Sequence, residues 1–438
     1  MKYKILSLDG GGSWALIQAR VLLDIYGDIR GHELLREFDM AIGNSGGSLI
    51  LASLCNDMKL SETISVFENE DLRKQVFSKL TFREKLKPRN ILSLFRNVAG
   101  IGPKYSTERK LSGLTAVLKQ MDHLYADGIL SKPIVEMPLN ELPAIIKKEN
   151  FQLLIVGYDY FHERVSFFRS NPNSATNKFN SKYYKVTLAH AIHSSSNAPV
   201  NYFDAPAEIK LDQLNGHDNR TSWFWDGGVS GYNNPVLAGL IEAMANNHAD
   251  PKEYCILSIG TGTGSLVNIA DMGTSTDPSI QTIYKKNKDN PLVVPKASFK
   301  FMHDVKEMAT SILCDPPDSA TFITYTILDP SLSNKANLVR INPSLSPLLN
   351  DDDLYDLPPA YKIDPDGKNK YTKLLMMDMD AVKNDEVNLI TDLCDKFIDP
   401  KFPGVPNQLI RGDSKNQPLV LGYSTYQEAK KKWESNCK

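Results

Sequence analysis

The feature that most constrains the fold is a recurring local pattern, in which a short apolar run ends in a glycine-rich turn. The first run ends at Leu8 and leads into Asp9-Gly10-Gly11-Gly12, after which Trp14 to Tyr26 has helical apolar spacing. The same pattern recurs at two further places, Phe38 to Ile42 before Gly43–Gly47 and Ser48–Cys55, and Tyr254 to Ile259 before Gly260–Gly264. Strands that alternate with helices predict an α/β fold with a largely parallel central sheet.

Other segments are predicted with less regular patterns. The stretch 59–135 is charged and helical in pattern, which indicates an insertion or cap over the core. The remaining predictions are paired strands at Gln152–Tyr158 and Arg164–Arg169, a helix at Thr187–Ser195, strands at Phe322–Leu328 and Asn337–Ile341, and an amphipathic helix at Met379–Ile398.

Composition narrows the class of protein. Apolar residues make up 42%, charged residues 23%, and the net charge is −2, which is typical of a globular protein and does not favour a nucleic-acid polymer as partner. One local basic run, Phe82 to Arg89, is interpreted as a solvated helix end or loop. Five scattered cysteines predict no disulfide framework, and the chain shows neither a signal peptide nor a membrane span, so we expect a cytoplasmic protein.

Gly43-Asn44-Ser45-Gly46-Gly47 has the G-x-S-x-G pattern of a strand-to-helix elbow. At such an elbow the serine hydroxyl projects outward, and the helix N-terminus behind it favours developing negative charge. The pattern alone would occur by chance in roughly one chain in seven of this length. Its position between a predicted strand and a predicted helix makes Ser45 the candidate nucleophile of a serine acyl hydrolase.

The loop Asp9-Gly10-Gly11-Gly12 exposes backbone N–H groups that could cradle either a phosphate or an oxyanion. The spacing Gly10-x-Gly12-x-x-Ala15 also fits a dinucleotide-binding fingerprint. That fingerprint requires an acidic residue at the end of the second strand. Glu37 and Asp39 lie before that strand or at its start, which disfavours the nucleotide hypothesis.

The third motif is Asp226-Gly227-Gly228, which follows an aromatic run. An Asp-Gly pair is typical of a simple turn, but an aspartate in a loop before a helix could also take the proton of a serine nucleophile. None of the eight histidines has a recognisable setting, and a conventional Ser-Asp-His order would need His248 or His303.

Together the three motifs resemble the patatin-like phospholipase family, which is related to cytosolic phospholipase A2. The resemblance covers about residues 3–265 and weakens towards the end of the chain. Softer matches support it at Phe167–Ser170, Ser195–Pro199 with Phe203, Asn233-Asn234-Pro235 and Leu257–Gly262. It implies a three-layer α/β/α sandwich with one hydrolase domain over 1–400, in which 59–135 is a helical cap or insertion and 265–400 is family-variable, followed by a polar tail over 401–438.

The resemblance further implies a Ser–Asp dyad, in which Ser45 is the nucleophile and Asp226 the base. The oxyanion hole would be formed by backbone N–H groups at Gly10, Gly11, Gly12 and Gly46. No metal or cofactor is implied, and the glycine of Asp364-Pro365-Asp366-Gly367 comes two positions early for an EF-hand loop. The expected partners are a phospholipid or other acyl ester and, through it, a membrane in peripheral contact.

One departure from the family pattern concerns the residues after the glycine loop. The family commonly continues with a variable residue, arginine and glycine, whereas this chain has Ser13, Trp14 and Ala15. We expect the Trp14 indole either to pack into the core or to line the acyl site.

Two other functions stay open at this stage. One is a general esterase acting on soluble acyl substrates. The other is a regulated bacterial effector phospholipase, switched on by a cyclic nucleotide or by a protein partner.

Overall fold

The computed structural model describes residues 2–94, 102–177, 183, 185–210, 220–247, 253–296, 301–402, 404–411 and 419–437, and only the backbone of 92, 93 and 301–314. Its main sheet has eight strands, which we number in chain order: β1 (Tyr3–Leu8), β2 (Met40–Gly43), β3 (Gln152–Asp159), β4 (Arg164–Arg169), β5 (Ala207–Lys210), β6 (Thr221–Asp226), β7 (Tyr254–Ile259) and β8 (Leu338–Ile341). Two small ladders pair Val267–Asn268 with Val293–Val294 and Leu348–Leu349 with Tyr355–Asp356.

The strand order of the main sheet is β8-β7-β1-β2-β3-β6-β5, with β4 paired to β3 outside this path. The strands from β8 to β3 are parallel to one another, whereas β4 and β6 are antiparallel to β3, and β5 is antiparallel to β6. The prediction of an α/β fold with a largely parallel sheet is therefore confirmed.

One detail of the register determines where the candidate site forms. Ile155 of β3 pairs with both Gly43 of β2 and Phe168 of β4, while Gly157 pairs with both Asp226 of β6 and Ser166 of β4. Because β4 occupies one edge of β3, β2 and β6 must share the other. The last residues of β2 and β6 therefore meet two positions apart along β3.

The helices are α1 (Leu16–Tyr26), α2 (Gly31–Arg36), α3 (Ser45–Cys55), α4 (Leu60–Glu68), α5 (Glu70–Val76), α6 (Phe82–Lys85), α7 (Thr107–Gln120), α8 (His123–Ala126), α9 (Leu142–Ile146), α10 (Leu188–Ser195), α11 (Val236–Asn247), α12 (Pro278–Asn287), α13 (Phe301–Leu328), α14 (Pro359–Lys362), α15 (Gly367–Met376), α16 (Asn384–Ile398) and α17 (Tyr426–Asn436). A single-turn 3₁₀ helix, Gly12–Ala15, precedes α1, and another 3₁₀ segment spans Pro88–Leu94.

Two apolar cores lie on opposite faces of the sheet, because successive strand residues point to opposite sides. In β1, Leu6 belongs to the core formed with α1, α3, α10 and α16, whereas Ile5 belongs to the core formed with α11 and α13. This arrangement is the expected three-layer sandwich.

The predicted strand Phe322–Leu328 is wrong, because these residues end the long helix α13. Their β-branched and aromatic side chains are typical of strands, but the buried ones, Thr321, Thr324, Tyr325 and Leu328, follow helical spacing. The predicted strand at Asn337–Ile341 is confirmed as β8. Among the described helices, none is both long and apolar enough to span a lipid bilayer.

Two regions of the predicted domain division contain described helices. Residues 59–135 contribute helices α4 to α8 and pack against α1, α10 and α16. The segment expected to be a polar tail contains α17, whose Trp433 is buried and stacks on Phe38 with ring centroids 5.9 Å apart.

Candidate active site

Ser45 is the first residue of α3, at the sharp turn that follows β2. Its φ of 47° lies in the left-handed region, which is unusual for a residue with a side chain. Its N–H donates to Ser195 Oγ at 3.0 Å, and Ser48 Oγ donates to its carbonyl oxygen at 2.6 Å. The elbow that the sequence predicts is therefore formed, and α10 holds it in place through Ser195.

Asp226 is buried at the end of β6, where the sheet register brings it beside the elbow. Its Oδ1 accepts hydrogen bonds from Asn44 Nδ2 at 3.1 Å and from the Gly228 N–H at 2.8 Å. Burial raises the pKa of Asp226, while the nearby Ser45 hydroxyl and the hydrogen bonds from Gly228 and Asn44 act in the opposite direction. The two residues proposed as a dyad thus lie beside each other.

The glycine loop lies directly against this elbow. A Cβ added to Gly46 would come within 2.8 Å of the Gly12 nitrogen, and one added to Gly10 would come within 3.0 Å of the Ser45 Cβ. Such contacts are shorter than side chains tolerate. Glycine at both positions is what allows the loop and the helix N-terminus to approach each other.

The N–H groups around Ser45 are not equivalent. Of the first four in α3, those of Ser45, Gly47 and Ser48 donate to Ser195, Asp9 and Asn44. Within the described residues, the N–H groups of Gly46, Gly11 and Gly12 have no acceptor. The Gly10 N–H differs from the prediction, because it donates to the Asn233 carbonyl oxygen at 2.8 Å and is not available to an oxyanion in this structure.

Residues far along the chain brace the glycine loop. Arg340 of β8 forms a buried two-pronged ion pair with Asp9, at 3.0 and 2.6 Å, and Thr261 Oγ1 donates to the Gly10 carbonyl oxygen at 2.7 Å. Burial raises the pKa of Asp9, and Arg340 opposes that shift. These contacts hold the loop at the carboxyl ends of β1, β7 and β8.

The position of Trp14 decides between the two expectations for its indole. Its indole is buried against Gly262, and Nε1 donates to the Asp378 carbonyl oxygen at 3.3 Å. The next residue, Met379, accepts the Ser13 N–H at 3.0 Å. The indole therefore packs into the core, and it fastens the glycine loop to a segment outside the family's motif region.

Lys110 of α7 is a buried residue that the sequence analysis did not identify. Its Nζ donates to the His193 carbonyl oxygen at 3.1 Å and lies 4.4 Å from the centre of the Phe203 ring. Burial lowers the pKa of Lys110 well below its usual value, and the charge of Asp226 raises it. A carbonyl oxygen, an aromatic face and the Asp226 carboxylate oppose this loss of charge, so the protonation states of Lys110 and Asp226 are linked.

Two cavities flank the site. A polar cleft of about 750 Å³ is lined by Thr107 of α7, His193 of α10 and Trp225, which directly precedes Asp226. A small apolar cavity of about 50 Å³ is lined by Gly12, Leu49 of α3 and Leu114 of α7. The glycine loop and the residue before Asp226 thus line cavities of opposite polarity.

Other candidates from the sequence contribute differently. Ser195 and Asn197 belong to one of the softer family matches. Ser195 Oγ accepts the Ser45 N–H, and the Asn197 carbonyl oxygen accepts the Asp226 N–H. His248 and the side chain of His303 lie outside the described residues. In the part of the chain that the structure describes, no group of three or more histidine, cysteine, aspartate or glutamate side chains could hold a metal ion.

A serine at a strand-to-helix elbow, beside a glycine loop, is typical of α/β acyl hydrolases. Comparison with known families is specific on this point, because the profile of patatin-like phospholipases matches residues 6–240. The chain belongs to the patatin-like phospholipase family, and this membership implies lipid acyl hydrolase activity.

Comparisons with solved structures and with curated sequences are less specific. Among solved structures the chain is similar to VipD from Legionella pneumophila, with 10% identity, a TM-score of 0.30, and coverage of 90% of this chain and 80% of that one. No curated protein sequence matches the chain.

Proposed function

We propose that the protein is a phospholipase A or lysophospholipase that cleaves carboxylic esters through a Ser45–Asp226 dyad and an acyl-enzyme. The observation that carries this proposal is the position of the buried Asp226 carboxylate beside the Ser45 elbow, where it accepts a hydrogen bond from Asn44. Within the described residues, the N–H groups of Gly11, Gly12 and Gly46 next to this elbow have no acceptor.

In the first step Ser45 Oγ bonds to the ester carbonyl carbon and gives its proton to Asp226. The carbonyl oxygen becomes an oxyanion, for which the N–H groups of Gly11, Gly12 and Gly46 are the available donors. When the tetrahedral species collapses, the ester C–O bond breaks and the alcohol leaves with the proton from Asp226. Water then attacks the acyl-enzyme, gives a proton to Asp226 and releases the fatty acid, and the proton returns to Ser45.

The environment of Asp226 suits a base. A carboxylate whose pKa is raised by burial accepts a proton more readily than an exposed one, provided that it is still ionised at the working pH. The Lys110 ammonium and the hydrogen bonds from Asn44 and Gly228 favour the ionised form.

The two flanking cavities support a lipid as substrate. The cavity beside Gly12 matches the apolar character of an acyl chain, although at about 50 Å³ it has room for only a few methylene groups. A phosphate-linked head group is charged and matches the polar cleft beside Trp225. The proposed orientation puts the scissile ester between them, at Ser45.

The test is lipid mass spectrometry of mixed phospholipids incubated with wild type, Ser45→Ala and Asp226→Asn. We expect fatty acid and lysophospholipid from the wild type and a loss of at least about 10³-fold in each variant. Ser65→Ala, which changes an exposed serine of α4, is the matched control and should retain full activity.

Each alternative outcome is informative. Normal turnover by Ser45→Ala or Asp226→Asn would refute the dyad. Hydrolysis of soluble esters alone would favour the general esterase, and activity that requires an added cyclic nucleotide or protein would favour the regulated effector.

A further inference from the structure

Large apolar side chains are exposed on both sides of the polar cleft. In the segment 82–94, Phe82 exposes 72% of its surface, Leu86 53% and Ile91 49%. The hairpin turn between β3 and β4 presents Phe161, which is 62% exposed, next to the half-exposed Tyr160. Clusters of this kind on a protein surface usually mark a site of interaction.

The two groups border one cavity. Lys87 and Arg89 of the first segment line the polar cleft, and so do Tyr160, Phe161 and Trp223. Phe161 and Trp223 are themselves in edge-to-face contact, with ring centroids 5.0 Å apart. Both segments therefore contribute residues to the cleft that is also lined by Trp225, the residue before Asp226.

The first segment is also strongly basic. It carries Arg83, Lys85, Lys87 and Arg89 in a protein whose net charge is −2. Its one acidic residue, Glu84, is bound by Arg109 at 2.8 Å, and Arg89 lies 3.5 Å from Asp204. Within the described residues, Arg83, Lys85 and Lys87 have no acidic partner.

The segment is held in this arrangement by its own polar contacts. Thr81 and Glu84 form a capping box at the start of α6. The buried Asn90 donates to the Glu84 carbonyl oxygen at 3.0 Å and to Asp204 at 3.2 Å. A solvated helix end would account for the charges, but it does not account for bulky apolar side chains fixed outward among them.

We propose that the docking surface, defined as residues 82–91 together with Tyr160 and Phe161, binds the surface of a lipid bilayer that contains anionic lipids. Apolar and aromatic side chains enter the interfacial region while lysine and arginine contact negatively charged head groups. The inference rests on the proposed function, because docking here turns the cleft lined by Trp225, the residue before Asp226, towards the lipid substrate.

Binding is measured with the full-length Ser45→Ala protein, which cannot turn over lipid, by co-sedimentation with phosphatidylcholine vesicles with and without phosphatidylserine. We expect binding to the anionic vesicles that weakens as salt is raised. Phe82→Ser/Leu86→Ser and Arg83→Gln/Lys85→Gln, each added to this background, should weaken binding at low salt by about tenfold or more.

The matched control is Ile241→Ser/Ile363→Ser. These side chains are 50% and 62% exposed, so the same chemistry is changed elsewhere on the surface, and Ile241 lies on α11 across the sheet. It should bind vesicles like the parent protein. Equal binding by all variants, or binding that is indifferent to phosphatidylserine and salt, would overturn the proposal.

A second readout separates docking from catalysis. With Ser45 intact, the two docking-surface variants should lose hydrolysis of vesicle phospholipid while retaining hydrolysis of a short soluble ester. If the soluble ester fell equally, the surface would not be a docking site. If the wild type hydrolysed no ester at all, the proposed function would fail, and the vesicle-binding result would still decide this inference.

Discussion

Ser45 has a backbone conformation that an alanine or serine adopts only at a cost of about 1–2 kcal/mol. Its φ of 47° is imposed by the elbow, where Gly47 packs so closely on β1 that an added Cβ would lie 2.4 Å from the Leu8 carbonyl oxygen. The strain therefore arises from the backbone conformation at residue 45 and not from the serine hydroxyl.

It follows that Ser45→Gly and Ser45→Ala should differ in stability although both are inactive. Glycine adopts this φ without the Cβ penalty, so Ser45→Gly should be the more stable of the two by about 1 kcal/mol. Urea unfolding followed by circular dichroism would measure the difference. Equal midpoints would show that the elbow is not strained at Ser45.

Lys110 is expected to set the pH range of activity through Asp226. Asp226 acts as a base only when ionised, and burial raises its pKa above the ordinary 3.8, so activity should fall as the pH is lowered through that raised value. The Lys110 charge lowers the pKa of Asp226, and its removal must raise that pKa further. Lys110→Met should therefore move the acidic limb of the kcat/KM profile to higher pH.

The measurement is kcat/KM for a soluble ester across the acidic range, with Lys110→Met compared with wild type. Lys119→Met, on the same helix but on its exposed side, is the control and should leave the limb in place. A lower rate with an unmoved limb would mean that Lys110 only supports the packing of α7.

Local motifs made part of the site predictable. Ser45, Asp226 and the glycines each lie in a short pattern whose residue types report their own chemistry. Arg340 and Lys110 do not lie in such a pattern. Arg340 pairs with Asp9, which is 331 residues away, and Lys110 donates to His193 on another helix. Only the folded chain brings such residues together. For the same reason, the hydrogen bond from the Gly10 N–H to the Asn233 carbonyl oxygen could not be predicted from the sequence.

At the scale of elements, the close approach of the glycine loop to the start of α3 is the feature most exposed to mutation. In Gly46→Ala the new Cβ would meet the Gly12 carbonyl oxygen at 2.7 Å and the Gly12 nitrogen at 2.8 Å. We expect the loop to be pushed away from Ser45 and kcat to fall by about 10²–10³-fold, because oxyanion donors are displaced.

Steady-state kinetics on a soluble ester, together with thermal unfolding, would check this prediction. Gly404→Ala is the control, since a Cβ there meets nothing within 4 Å. A Gly46→Ala protein that is folded and fully active would exclude the Gly46 and Gly12 N–H groups from the reaction.

Elements also show where sequence patterns reach their limit. The parallel strands β1, β2 and β7 were predictable because each is an apolar run that ends in glycines. The meeting of β2 and β6 on one edge of β3 was not, since an antiparallel partner that approaches from the chain's distant part leaves no local signal. The strand predicted at the end of α13 was wrong for a related reason. The spacing of the buried residues there indicates a helix, whereas the composition is typical of a strand.

At the scale of the whole molecule, the C-terminal part of the chain adds a strand to the sheet and also contacts the glycine loop. Residues 377–382, here called the C-terminal strap, connect two other regions of the chain. Their carbonyl groups accept hydrogen bonds from Ser13 and Trp14 beside the glycine loop, and the Asp380 carboxylate is bound by Lys104 at 3.0 Å and by the Tyr105 hydroxyl. The strap thus fixes the glycine loop relative to the segment that leads into α7.

Asp380→Asn is therefore expected to impair catalysis from a distance. The Asp380 side chain is 5% exposed, and the loss of its charge weakens a buried contact with Lys104 and Tyr105, so the strap should loosen over Gly12 and Ser13. We expect kcat for a soluble ester to fall about tenfold, with a modest loss of thermal stability. Asp378→Asn provides the comparison, because Asp378 pairs with the same Lys104 through a side chain that is 64% exposed, where ion pairs contribute only about 0–1 kcal/mol. If the two variants lost activity equally, or if neither did, the strap would merely cover the loop. A selective loss in Asp380→Asn would show that residues beyond the family-matched region position the oxyanion donors.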